Sequence, residues 1–240
     1  KNYGNDDVFV PYAGVTYDFN GNHNLYVSYT EIFKPQNAQD INRKLLDAIE
    51  GNNTEIGFKS SYLDGRLQTA FAVFSIKQDN VAQFAGKITT VSPPQDYYRG
   101  AKGTESKGFE AEVIGQLTDS WNLSAGFSKY KAEDAEGVEI NTDHPREKLS
   151  LFTTYDFTNL LDGFVLDGFV LGGGVTWEGE RYGGTDSQAK LRQDSYSLIS
   201  LMARYNVTEE LAVQFKAENL SDETYYSQVG FYNEYTYGSP

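Results

Sequence analysis

The chain has 240 residues, with 34 Asp and Glu against 20 Lys and Arg, which gives a formal net charge of −14. This balance argues against nucleic acid as a partner, because phosphate binding needs a basic face. The absence of cysteine excludes disulfides, thiolate metal sites and cysteine nucleophiles. No apolar run reaches the roughly 18 residues of a transmembrane helix, whereas 15% aromatic residues and 23 glycines favour β structure.

Period-two alternation of apolar and polar residues, bounded by turn residues, predicts ten strands. In chain order they cover residues 7–19, 24–33, 54–62, 66–80, 105–117, 121–131, 146–157, 168–178, 194–206 and 210–220. Most exceed the five or six or so residues that are usual in soluble proteins. Several approach the roughly nine to eleven residues that cross a bilayer at a tilt.

The connections between these strands alternate between short and long. Short turns are predicted at 21–23, 63–66, 118–120, 158–163 and 207–210, and long loops at 34–53, 81–104, 132–145, 179–193 and from 221 onward. Short turns on one side and long loops on the other are typical of an outer-membrane barrel. A soluble β-sandwich also produces two unlike strand faces, but strand length and loop asymmetry favour the barrel.

The stretch LTDSWNLSAGFSKY (117–130) shows the two faces most clearly. In a barrel, Trp121, Leu123 and Phe127 would face lipid, whereas Asn122 and Ser124 would face the lumen. Aromatic residues near strand ends predict girdles at the two membrane interfaces. They are Tyr17, Phe19, Tyr29, Phe33, Trp121, Tyr155, Phe157 and Trp177.

Four segments resemble TonB-dependent siderophore receptors, with closest similarity to receptors of the ferric hydroxamate and pyoverdine type. They are YVSYTEIFKPQN (26–37), residues 45–82 with an Asp-Gly-Arg turn, residues 106–155 with a Ser-x-Gly-x-Glu strand, and residues 201–240 with Asn-Leu-x-Asp-x-x-Tyr-Tyr. The resemblance implies an all-β fold, an antiparallel transmembrane β-barrel. It also implies that the ten strands are a fragment of a larger barrel of about 22 strands.

The resemblance assigns residues 1–240 to the C-terminal part of such a barrel, with the plug domain and the final strand absent. The strand directions agree, because both chain ends would lie on the long-loop side, whereas barrel termini lie in the periplasm. Within the loop at 34–53, Ile41, Leu45 and Ile49 have helical spacing. Two alternatives therefore stay open for this loop, a short helix and an extended conformation. The repeat LDGFVLDGFV (161–170) predicts a lengthened periplasmic turn.

The implied function is TonB-dependent uptake of a ferric siderophore across the bacterial outer membrane. The implied partners are the siderophore, TonB-ExbB-ExbD through the missing N-terminal region, and outer-membrane lipid with lipopolysaccharide. A monomer is expected, with no cofactor, since iron arrives inside its chelate. Three alternatives stay open: a passive porin-like channel, a TonB-dependent transporter of cobalamin or glycan, and a soluble β-sandwich binding module or hydrolase.

No enzyme, catalytic residue or metal site is predicted. His23 and His144 lie far apart without metal-ligand spacing, and no nucleophile elbow, P-loop or His-Glu-x-x-His motif is present. Ligand binding is predicted instead from aromatic and cationic residues of the long loops. The candidates are Tyr97, Tyr98, Arg99, Trp177, Arg181, Tyr182, Tyr225, Tyr226, Phe231 and Tyr232.

Overall fold

The computed structural model describes residues 8–101, 103–158, 168–183, 191–208, 210–230 and 235–239. Within these ranges the chain is all-β, and no helix long and apolar enough to cross a membrane is found there. The strands are β1 (Tyr12–Asp18), β2 (His23–Lys34), β3 (Ile49–Tyr62), β4 (Leu67–Asp79), β5 (Val81–Ile88), β6 (Gln95–Ala101), β7 (Thr104–Gln116), β8 (Trp121–Glu133), β9 (Glu147–Asp156), β10 (Phe169–Glu178), β11 (Arg181–Tyr182), β12 (Arg192–Gln193), β13 (Tyr196–Asn206), β14 (Ala212–Ala217), β15 (Tyr226–Val229) and β16 (Tyr235–Tyr237).

Ten strands form one antiparallel sheet in the order β1-β2-β3-β4-β7-β8-β9-β10-β13-β14. These are the ten strands predicted from the alternation, so that prediction is confirmed. The other six strands form three small antiparallel sheets, β5–β6, β11–β12 and β15–β16. All three lie in the long connections, where the sequence analysis predicted only loops.

One face of the large sheet is apolar because the register aligns apolar positions across strands. Val27 lies opposite Ile56, Ile56 opposite Val73, and Val73 opposite Phe109. A slip of one residue would move these side chains to the other face. Val27, Ile56 and Val73 are all exposed, so this apolar face is not a packed core between two sheets.

The short turns share one end of the sheet. At the turn before β2, Asp18 Oδ1 accepts the backbone N–H of Asn20 at 2.9 Å. Arg66 Nη1 lies 2.6 Å from Asp119 Oδ1, which joins two neighbouring short turns. The predicted lengthened turn falls mainly on 159–167, outside the described residues.

The loop before β3 is extended rather than helical, which decides between the two alternatives left open above. Asp40 Oδ1 accepts the N–H groups of Asn42 and Lys44 at 2.9 and 2.8 Å. Gln39 then pairs with Leu45 in an isolated antiparallel bridge. These local hydrogen bonds satisfy the backbone without a helix.

Aromatic side chains gather at the short-turn end of the apolar face. The rings of Tyr17 and Phe19 lie 5.0 Å apart, and the imidazole of His23 stacks on Phe58 at 6.0 Å. Nearby, Trp121 Nε1 donates a hydrogen bond to Thr153 Oγ1 at 2.7 Å. Rings with one polar atom suit the boundary between lipid and water, and His23 belongs to this packing.

Candidate functional site

The polar face carries a cluster of charged and aromatic side chains at its long-loop end. We call Lys148, Glu178, Arg181, Tyr196 and Tyr225 the rim cluster. The register places Lys148 opposite Glu178 and Glu178 opposite Tyr196. Three adjacent strands therefore bring these side chains to the same side of the sheet, where the long loops leave it.

Glu178 is the centre of the rim cluster. Its carboxylate lies 3.0 Å from Lys148 Nζ and 3.4 Å from Arg181 Nη1, and it accepts a 2.8 Å hydrogen bond from the Tyr196 hydroxyl. Arg181 is only 6% exposed and Tyr196 only 7%. Burying a charge is costly unless it is paired and hydrogen-bonded, and Glu178 meets this requirement with three partners.

Arg181 also reaches the last loop of the chain. Its Nη2 donates to the backbone carbonyl of Tyr226 at 2.6 Å and to the Tyr196 hydroxyl at 3.2 Å. The backbone N–H of Tyr226 donates to Gln193 Oε1 at 2.7 Å. Both backbone groups of Tyr226 are therefore held by buried side chains, and Arg181 fixes this loop.

Aromatic packing continues this attachment. The Tyr225 ring stacks on Tyr196 with centroids 4.4 Å apart, and Tyr226 lies 4.6 Å from Tyr235. Asn219 closes the segment, since its Oδ1 accepts the N–H of Glu223 and its Nδ2 donates to the carbonyl of Ser239. The described part of the last loop thus packs against the rim through rings and side-chain amides.

A second group of predicted residues lies on the β5–β6 hairpin. Tyr98 packs edge-on against Phe84 with centroids 6.2 Å apart, and its N–H donates to the carbonyl of Gln39 at 2.7 Å. Tyr97 is half-buried, whereas Arg99 is exposed. Arg99 therefore offers a cation that Arg181 does not.

The remaining predicted site residues lie elsewhere. Trp177 alternates with Glu178 and lies opposite Leu149 and Ser197 on the apolar face. The Tyr182 hydroxyl donates to Glu139 Oε2 at 2.9 Å, beside the loop between β8 and β9. Phe231 and Tyr232 lie outside the described residues.

The structure thus brings Arg181, Tyr225 and Tyr226 together and keeps Tyr97, Tyr98 and Arg99 on a separate hairpin. Ligand contact by any of these residues stays a prediction. The sequence analysis missed three residues of the rim cluster, Lys148, Glu178 and Tyr196, and also Gln193, which holds Tyr226. Alternation alone assigns Lys148 and Glu178 to the polar face, but their adjacency depends on cross-strand register.

Deeper on the polar face, Tyr26 lies flat over Gly57. Its hydroxyl donates to Glu55 Oε1 at 2.5 Å, and Lys59 Nζ lies 5.1 Å from the ring centroid. A Cβ atom at position 57 would come within 2.3 Å of the Tyr26 ring. Glycine therefore makes room for this ring and its polar contacts. In the described part of the chain, no group of three or more His, Cys, Asp or Glu side chains could hold a metal ion.

The family model described as TonB dependent receptor-like, beta-barrel matches residues 1–220. The chain belongs to this family. Its sheet is accordingly part of a larger barrel in the bacterial outer membrane, and the soluble β-sandwich is excluded. In such a barrel the apolar face is expected to meet lipid and the polar face to line the lumen. The register places Trp121, Leu123 and Phe127 together on the apolar face.

The chain is similar to the ferripyoverdine receptor of Pseudomonas aeruginosa, with 39% identity over 239 residues that cover 97% of this chain and 29% of the receptor. The crystal structure of that outer-membrane receptor bound to ferripyoverdine superposes with a TM-score of 0.80 and 36% identity, over 96% of this chain and 31% of the other. The structure of the FpvAI-pyocin S2 complex gives a TM-score of 0.81 and 37% identity, over 97% and 32%. The chain spans less than a third of these relatives' lengths.

Proposed function

We propose that this chain is the C-terminal part of a TonB-dependent outer-membrane receptor that takes up a ferric siderophore. The observation that carries the proposal is the similarity of 97% of the chain to a ferripyoverdine receptor. The superposition on a ferripyoverdine-bound receptor supports it, because it extends over 96% of this chain.

The rim cluster supports binding of a preassembled chelate. A ferric siderophore brings its own iron ligands, so the receptor needs only aromatic surface and a few polar groups. The Lys148 side chain is 52% exposed and offers a cation, while Tyr225 and Tyr226 offer rings. Because Arg181 and Gln193 already hold the Tyr226 backbone, less conformational entropy is lost when a ligand binds.

The partners of the complete receptor are part of the same proposal. Energy for uptake comes from TonB-ExbB-ExbD, which engage a region N-terminal to this chain. The plug fills the lumen against the polar face, and outer-membrane lipid surrounds a monomeric barrel. The protein acts as a receptor without enzymatic activity or a cofactor, since iron enters as part of the ligand.

A titration of the complete receptor tests this function. The protein is purified in detergent and titrated with a panel of ferric siderophores while its tryptophan and tyrosine fluorescence is followed. We expect saturable quenching by one chelate and much weaker quenching by the same ligand without iron. No response to any chelate would contradict siderophore uptake. Cobalamin or glycan binding, or passive conductance in planar bilayers, would then identify the alternative function.

A further inference from the structure

Lysines are grouped on the lipid face, at the end from which the long loops leave. The register between β7 and β8 sets Lys107 directly opposite Lys131, and Phe109 opposite Lys129. On the neighbouring strand, Lys77 lies opposite Glu105. We call Lys77, Lys107, Lys129 and Lys131 the lysine belt.

The lysine belt begins where the apolar band ends. The rings of Phe109 and Phe127 lie 5.7 Å apart on the lipid face. Lys129 is level with Phe109, and the facing pair Lys107 and Lys131 is two residues further toward the loops, a rise of about 7 Å along a strand. The ammonium groups therefore lie just beyond the hydrocarbon region, at the depth of lipid headgroups.

Between β7 and β8 like charges face each other in two successive rows, whereas the outer two lysines of the belt are matched across strands, Lys77 by Glu105 and Lys129 by Glu147. Lys107 faces Lys131, and in the next row toward the loops Glu105 faces Glu133. Like charges directly opposite one another destabilise a sheet. If Glu105 and Lys107 exchanged places on β7, each would face an opposite charge on β8. The observed order of charges is therefore unfavourable for the sheet by itself.

Ion pairs with glutamate relieve this repulsion only in part. Lys107 pairs with Glu105 at 2.8 Å and Lys131 with Glu133 at 2.5 Å, both along their own strands. Both lysine side chains remain 64% exposed, and such exposed pairs contribute little. Glu105 and Glu133 lie on the loop side of Lys107 and Lys131, so the membrane side of these two ammonium groups stays open. Lys129 differs, because it pairs across strands with Glu147 at 2.5 Å.

We propose that the lysine belt binds the phosphate of an anionic lipid in the leaflet around the barrel. A phosphate between Lys107 and Lys131 accepts charge-assisted hydrogen bonds from both and removes the repulsion between these facing lysines. Lysine stems lie along apolar surface while their heads reach the headgroups. Val73 and Phe71 are exposed on the same face, further from the loops than the belt, and offer contact to acyl chains, which a free anion lacks.

The overall charge makes a general attraction for anions a poor explanation. The chain carries a net charge of −14, which repels anions at long range. Binding must then come from the local grouping of the belt. Because it requires only the outer membrane and this face of the sheet, it is independent of the cargo that the receptor carries.

Native mass spectrometry of the complete receptor in a neutral detergent tests the site. Dioleoyl phosphatidic acid and dioleoyl phosphatidylcholine are added at equal concentrations, and bound lipids are counted. We expect retention of phosphatidic acid, and a roughly tenfold loss in the Lys107→Gln/Lys131→Gln variant. Lys107→Arg/Lys131→Arg keeps binding. The control Lys44→Gln/Lys87→Gln removes the same charge from two exposed lysines outside the belt, one in the loop before β3 and one on β5, and also keeps lipid binding.

Removing the glutamates separates lipid binding from misfolding. Glu105→Gln/Glu133→Gln frees the lysines and should raise phosphatidic acid retention, which a damaged fold would not do. Equal retention by the wild type and the Lys107→Gln/Lys131→Gln variant overturns the proposal. So does equal retention of the two lipids by the wild type. Full displacement of phosphatidic acid by millimolar inorganic phosphate would identify a site for free anions and overturn the lipid assignment.

Discussion

The rim cluster and the lysine belt are built from the same kinds of side chain and differ in their surroundings. In the rim cluster, Arg181 is buried and Glu178 is half-buried, and each charge has protein partners. In the lysine belt, Lys107 and Lys131 are exposed and face each other. Buried charges hold loops in place, whereas exposed charges remain available to a partner. Position on the sheet thus decides whether a lysine or glutamate serves structure or binding.

The largest effect is expected from Arg181→Ala. It leaves the Glu178 carboxylate with one cation fewer and the Tyr226 carbonyl without its donor, and breaking a buried pair costs about 3 kcal/mol. We expect faster hydrogen exchange in peptides covering residues 219–230 and weaker binding of the ferric siderophore.

Arg192→Ala in the same loop is the matched control for Arg181→Ala. Arg192 pairs with Asp194 at 3.1 Å, but its side chain is 58% exposed. An exposed pair is worth at most about 1 kcal/mol, so exchange at 219–230 should stay near the wild-type rate. Equal effects of the two substitutions would show that burial of Arg181 does not matter.

Gly57→Ala tests close packing on the lumen side. The new Cβ would lie 2.3 Å from the Tyr26 ring, and forcing the ring away costs about 1–3 kcal/mol. Gly126→Ala is the control on the same face, because the nearest atom to a Cβ there, the carbonyl oxygen of Ala111, is 4.0 Å away. The midpoint temperature of thermal unfolding of the complete receptor should fall for Gly57→Ala and not for Gly126→Ala. Equal midpoints for the two variants would contradict this packing.

A smaller effect is expected from Lys148→Gln, which removes the exposed cation of the rim cluster. If the chelate presents anionic groups there, its affinity should fall about fivefold, less at high salt. Lys216→Gln removes a lysine that is similarly exposed, 55% against 52%, and lies outside the rim cluster. Fluorescence titration that shows equal affinities for the two variants would exclude Lys148 from the binding surface.

The smallest effect concerns the stability of the lysine belt itself. In lipid-free detergent, Lys107→Gln/Lys131→Gln should change the free energy of unfolding by less than about 0.5 kcal/mol, because lost ion pairs and relieved repulsion offset each other. A large loss of stability without lipid would show that the belt, like the rim cluster, is a structural element. Chemical denaturation of the wild type and the variant, with and without phosphatidic acid, measures these free energies of unfolding.

Much of the barrel wall was predictable because its signal is local. Alternation along each strand identified all ten strands of the sheet, and it placed Trp121 and Phe127 on the lipid side. The β5–β6 hairpin was missed, because its strands carry Gly86 and Gly100 and pair through a bulge that blurs a period of two. Trp177 was placed with the loop residues beside it, although alternation assigns it to the same face as Leu149.

By itself, the sequence determined the strands, their two faces and the resemblance to TonB-dependent receptors. Only the tertiary structure decided that Glu178 lies between Lys148 and Tyr196, that Arg181 is buried under the last loop, and that Lys107 faces Lys131. The physical reason is that alternation belongs to each strand alone. Register depends on how long strands pair and on the turns between them, so side chains distant in sequence meet only once the sheet has formed.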